Sequence, residues 1–107
     1  MAINFFKNVT ADLVTSSNTI YTAPPGFTAI VLMAQISNIT TNPYAANVGV
    51  VANSTETSLV TNFEIPPNDA AGILTGKLVL ESDQSLVAAA NNNSSLQMVL
   101  SILESQN

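Results

Sequence analysis

Short apolar runs recur along this chain, and each is soon cut off by a cluster of Pro, Gly, Asn, Asp or Ser. That punctuation constrains the fold more than any other feature, because brief apolar runs with turn residues between them suit strands that double back on their neighbours. An antiparallel all-β domain is the expectation. The residue types agree, since Val, Ile and Thr are plentiful and branch at Cβ, which favours extended backbone.

The turns can be placed one by one. Pro24-Pro25-Gly26 fits a turn with Pro at the first central position and Gly supplying positive φ at the second; it divides a strand at Thr19–Ala23 from one at Thr28–Ser37. Asn38–Tyr44, which holds Pro43, reads as a loop. Val48–Ala52 is a short strand, Asn53-Ser54-Thr55 turns the chain, and Thr57–Ile65 sets Leu59, Thr61, Phe63 and Ile65 on one face. Pro66-Pro67-Asn68-Asp69 ends that strand. A meander follows: Ile73–Glu81, Ser85–Ala90 and Leu96–Glu104, joined at Ser82-Asp83-Gln84 and Asn91-Asn92-Asn93-Ser94. Leu96, Val99, Leu100 and Leu103 would also line a helix, but the preceding hairpin turn and the strands upstream favour a strand. Residues 1–107 are expected to form a single antiparallel β-sandwich, jelly-roll-like or immunoglobulin-like.

The alternation is imperfect. If Gly76, Leu78 and Leu80 face the core with Leu86, Ala88 and Leu100, then Val79, Val87, Val99 and Leu103 point outward; Val31 and Met33 do the same opposite Ile30, Leu32 and Ile36. Such residues are either ordinary scattered surface or a patch that another subunit covers. The second reading is preferred, because with only 8% charged residues little else keeps the surface soluble. Self-association follows.

Composition closes most routes to chemistry. The chain has no His, Cys, Arg or Trp, and it sets two Lys against seven Asp or Glu. Without His there is no ordinary general acid–base group at neutral pH, and without Cys or His no soft-metal site. A net charge of −5 argues against direct nucleic-acid binding, which draws its affinity from cations on phosphates. The start, Met1-Ala2-Ile3-Asn4-Phe5-Phe6-Lys7, lacks the pattern of a secretory signal, and Ala29–Ala34 is far too short to cross a bilayer as a helix. No disulfide can form, and no membrane association is expected.

Acidic pairs drawn from Glu56, Glu64, Asp69, Glu81 and Asp83 could in principle serve a glycosidase, but they sit at turns and strand ends where solvated charge belongs. A Ca²⁺ site would need Asn68-Asp69 to meet Glu81 and Asp83 at one end of the fold. The glycosylation-like triplets, among them Asn38-Ile39-Thr40, are what a chain rich in Asn, Ser and Thr produces by chance. No cofactor, metal or catalytic residue is assigned.

Two runs carry a resemblance. Thr19-Ile20-Tyr21-Thr22-Ala23-Pro24-Pro25-Gly26-Phe27-Thr28-Ala29-Ile30-Val31-Leu32 resembles the opening of small virion structural proteins of tailed bacteriophages, and Ile73-Leu74-Thr75-Gly76-Lys77-Leu78-Val79-Leu80-Glu81-Ser82-Asp83-Gln84-Ser85-Leu86 is similar to a second element of that group. Phe27 departs from the small or polar residue that often follows the glycine.

The resemblance implies a non-enzymatic virion part assembled in the bacterial host cytoplasm. Its leading form is a capsid decoration, or cement, protein: a homotrimer bridging the major capsid protein or another virion protein. A neck, tail or fibre-associated role is the alternative, and a carbohydrate-binding module a more remote one. Candidate contacts are the N-terminal arm with Phe5 and Phe6, the loop at Pro43 and Tyr44, the turn at Pro66 and Pro67, and the outward Met33, Val79, Val87, Val99 and Leu103. Phe5 and Phe6 would alternatively form a first core strand.

Overall fold

The computed structural model describes residues 4–107, so the first three residues of the segment read above for an export signal lie outside it. Nine strands follow one another: β1 (Asn4–Asp12), β2 (Asn18–Thr22), β3 (Phe27–Asn38), β4 (Tyr44–Ala52), β5 (Thr55–Ile65), β6 (Ala70–Gly72), β7 (Leu78–Leu80), β8 (Ser85–Ala90) and β9 (Leu96–Gln106). They form two antiparallel sheets. One is ordered β1-β9-β3 with β6 and β7 both on the far side of β3; the other is ordered β2-β8-β4-β5.

β6 pairs with β3 at Gln35–Ser37 and β7 pairs with it at Ala29–Val31, so the two short strands share one strand position. This corrects the single strand expected over Ile73–Glu81: Gly76 lies in a bend between the two pieces and contributes nothing to the ladder. Counted as one, they leave eight strands in two sheets, with the chain crossing between sheets at nearly every connection. That is the jelly-roll member of the two arrangements the sequence allowed.

The turns form for the reasons given. Gly26 takes φ 81 and the Phe27 amide donates to Pro24 O at 3.1 Å, as a turn with Gly at its second central position requires. Between β4 and β5, Asn53 and Ser54 both take positive φ (53 and 64), the two-residue hairpin turn whose twist matches its strands.

The core lies between the sheets. Leu96, Met98, Leu100 and Ile102 of β9 face inward and are fully buried, meeting Leu86 and Val48 of the opposite sheet. Each such side chain contributes roughly 1.5–3 kcal/mol by leaving water. Leu13, buried at the crossing from β1 to β2, donates its amide to Leu96 O at 2.9 Å and anchors the first strand to the last.

β3 departs from simple alternation. Its pairing with β9 slips between Val31 and Met33, leaving Leu32 as one extra residue, a β-bulge. Ahead of the bulge Ala29 and Val31 face the core; after it Ala34, Ile36 and Asn38 do. Val31 is therefore a core residue, correcting its outward expectation, while Ile30 is half-buried on the outer side and Leu32 is exposed, correcting their core expectation. β5 is interrupted too: Asn62 takes φ 50 where the pairing with β4 slips, so Thr61 is exposed while Phe63 and Ile65 keep to the core side.

Candidate functional site

The five-stranded sheet carries an apolar row across its outer face. Antiparallel register sets Phe6 of β1 opposite Leu103 of β9, Leu103 opposite Ile30 of β3, and Ile30 opposite Val79 of β7. Directly opposed residues in antiparallel strands share a face, so these four side chains stand side by side. Phe6 (77% exposed) and Val79 (54%) form the ends of the row, with Leu103 and Ile30 half-buried between them.

The bulge widens the row into a patch. An extra residue lets sequence neighbours share a face, and Leu32 and Met33 are both exposed there. Met33 stands opposite Ser101, and Leu32 lines a shallow groove with Phe6, Asn8 and Ser101. Val99 is half-buried on this face between Thr10 and Gln35. Of the expected outward residues, Met33, Val79, Val99 and Leu103 thus come together. Val87 does not: it belongs to the other sheet, opposite Gly49 and Thr19, and is covered there.

Phe5 and Phe6 alternate across β1, an edge strand whose Val9 packs against the core, and both phenylalanines are exposed. Phe6 joins the outer patch. Phe5 stands on the inner side of the strand, its ring tilted at 6.2 Å from that of Phe27.

Near Phe5 the sheets are tied by charge. Glu104, nearly buried on β9, accepts a hydrogen bond from the Tyr21 hydroxyl of β2, and Lys7 Nζ approaches the same carboxylate at 3.6 Å while standing 5.8 Å from the centre of the Tyr21 ring. Burial, reinforced by the hydrogen bond and charge of Glu104, pushes the Tyr21 phenol well above its ordinary range. No local sequence signal marks these residues, because Lys7, Tyr21 and Glu104 come from three distant strands.

The loop candidates gather at one end of the sandwich. The Asn68 amide donates to Thr40 O at 3.0 Å and the Asn38 amide to Asp69 O at 2.8 Å, which lays the loop holding Pro43 beside the turn holding Pro66 and Pro67. All three prolines are exposed and Tyr44 is half-buried. Asn38 organises this end: its side-chain amide donates to Asn42 O at 2.7 Å and Ile65 O at 3.0 Å, and its oxygen accepts from the Thr40 amide and hydroxyl.

The acidic turns do not converge. Asp69 sits at the Asn38 end, whereas Glu81 and Asp83 line an open polar groove at the opposite end with Asn53, Ser54 and Asn107. Among the described residues no three Asp or Glu gather closely enough to hold a metal ion, and no helix is long and apolar enough to cross a membrane.

No family model and no curated protein matches the chain. Solved structures do. A chain of the disulfide-linked pili that form Bacillus endospore appendages superposes with a TM-score of 0.56 at 10% identity, covering 99% of this chain and 88% of that one. A chain from the acid-stable capsid of a Helicobacter pylori bacteriophage superposes with a TM-score of 0.58 at 13% identity, covering 97% and 90%. A pentameric capsid protein from metagenomic phage sequences is 20% identical over 90% of this chain and 59% of its own, with a TM-score of 0.44. At these identities the likeness is one of fold: this chain shares its sandwich with building blocks of a pilus and of a phage capsid.

Proposed function

We propose that this chain is a non-enzymatic structural protein of a bacteriophage virion, and that it decorates the head as a cement protein. The observation that carries the reading is the apolar row from Phe6 to Val79, laid across the outer face of one sheet of a jelly roll. A protein that works by being covered needs such a face and does not need a reaction centre. The shared fold of the phage capsid chain supports the same reading.

Bridging needs two separate surfaces. The outer patch supplies one, and the proline-rich end at Pro43, Pro66 and Pro67 supplies another, displaced along β9 from Leu103 toward Leu96. Oligomers, trimers in the simplest form, would seat one surface on each other and one on the capsid lattice. Burial shared between capsid subunits then opposes the outward pressure of packaged DNA, and weak contacts add by multivalency over the repeating lattice.

Electron microscopy of virions purified from the host in which the chain is made, with their protein content determined, tests this. Density bridging capsid subunits is expected. Density confined to the neck, tail or fibres would replace cementing with the alternative structural role, and particles that lack the chain altogether would overturn the reading.

A further inference from the structure

The two outer faces of the sandwich differ in what they offer a neighbour. On the four-stranded sheet the outward positions include the exposed Glu56 and Glu64, opposite Val51 and Ala45, and the apolar Val87 is already covered. On the five-stranded sheet, the outward positions of β1, β9, β3 and β7 hold one charge, Asp12, at a corner. They also hold Phe6, Leu32, Met33 and Val79, four of the six large apolar side chains found exposed among the described residues.

The face is the size of an interface. Three strands of 9, 11 and 12 residues and the three-residue β7, at about 4.8 Å spacing and about 3.4 Å per residue, give roughly 570 Å², approaching the roughly 800 Å² that each partner of a standard complex covers. One molecule is enough to cover it.

Charge selects the occupant. Each copy carries a net charge of −5, so most mutual approaches set carboxylates against carboxylates. Approach over the outer face of the five-stranded sheet avoids that opposition, because the apolar row and the Asn8, Ser101 and Thr10 positions beside it are uncharged. A basic partner would gain nothing there and would be drawn to Glu56 and Glu64 instead. We infer that this face is the surface on which a second copy of the chain sits, sheet against sheet, with the two sets of outward side chains interdigitating as they do in a sandwich core. The inference deepens the function proposed above, since it names the occupant of one of the two surfaces that function needs.

Light scattering over a concentration series tests it on the intact chain. Val79→Glu and Phe6→Glu each place a charge at an exposed end of the row, and Thr19→Glu places one on the other sheet as a control. Circular dichroism and the denaturation midpoint report whether each variant is folded. The expected result is an oligomeric wild type, a dissociation constant raised at least about tenfold in each row variant, and no change for Thr19→Glu. A monomeric wild type at the highest concentration reached, or folded row variants that associate as the wild type does, would overturn the inference. A monomeric wild type whose row variants lose their place on purified particles would assign the face to another virion protein, ending this inference while sparing the virion role. Self-association through the row in a chain that purified particles lack would do the reverse.

Discussion

Tyr21 and Glu104 meet across the sandwich, the phenol of the four-stranded sheet donating its hydrogen to a carboxylate of the five-stranded one. Folding therefore holds the Tyr21 proton more tightly than the unfolded chain does, chiefly through burial and then through Glu104. Above about pH 10 the unfolded chain releases this proton while the native state keeps it, so stability is full below that pH and falls as pH rises beyond it. Tyr21→Phe removes that part of the alkaline loss. At neutral pH the variant leaves Glu104 short of a donor and is expected to cost about 1–3 kcal/mol. Urea midpoints at neutral pH and through the alkaline range measure both effects.

Asn38 holds the proline-rich end through four hydrogen bonds and is only 2% exposed. Asn38→Ala takes the side-chain donor from the Ile65 carbonyl and the acceptor from the Thr40 amide, while the Thr40 hydroxyl still reaches Asn42 O, and is expected to cost at least about 2 kcal/mol. Asn38→Asp keeps the shape but loses the donors, so it rescues little. Thermal melts rank the variants, and limited proteolysis near Pro43 reports whether the loop has come loose.

Gly49 is tight for a different reason. A Cβ there would lie 2.6 Å from Glu56 Oε2 and 3.0 Å from Thr57 O. The Glu56 carboxylate can swing away, but the Thr57 carbonyl belongs to the backbone. Gly49→Ala is expected to cost about 1–3 kcal/mol, and adding Glu56→Ala should recover only part of it. A double-mutant cycle in denaturant gives the split directly.

Substitution and deletion at Leu32 should part company. Leu32 is exposed and supports no core contact, so Leu32→Ser is expected to change stability by no more than about 0.5 kcal/mol. Removing the residue abolishes the bulge and forces one half of β3 to turn its core side chains outward, Ala29 and Val31 or else Ala34 and Ile36. A loss above about 4 kcal/mol, or failure to fold cooperatively, is expected in denaturant titrations.

These residues show where alternation can be read and where it cannot. In β9 the run Leu96, Met98, Leu100, Ile102 points inward as its spacing says, because that strand is central and carries no bulge of its own. In β3 the run Ala29–Ala34 is apolar throughout, so nothing in it marks which residue is extra; Val31 and Leu32 exchange sides for that reason. Thr61 fails in the same way beside Asn62. Met33, Val79, Val99 and Leu103 are readable as outward, yet their grouping depends on strand order, which no local pattern carries. The burial of Glu104 is least legible, since a carboxylate near a strand end normally reads as solvated and its partners lie far off in sequence.

The phase of β3 hangs on how many residues separate the Gly26 corner from Asn38, not on which residues they are. Drift in side-chain identity leaves that frame intact, whereas gain or loss of a single codon inverts half of it. Descendants of a common ancestor would then keep segment lengths long after their letters diverged, so kin of this chain are better sought by the distances between corners than by matching words.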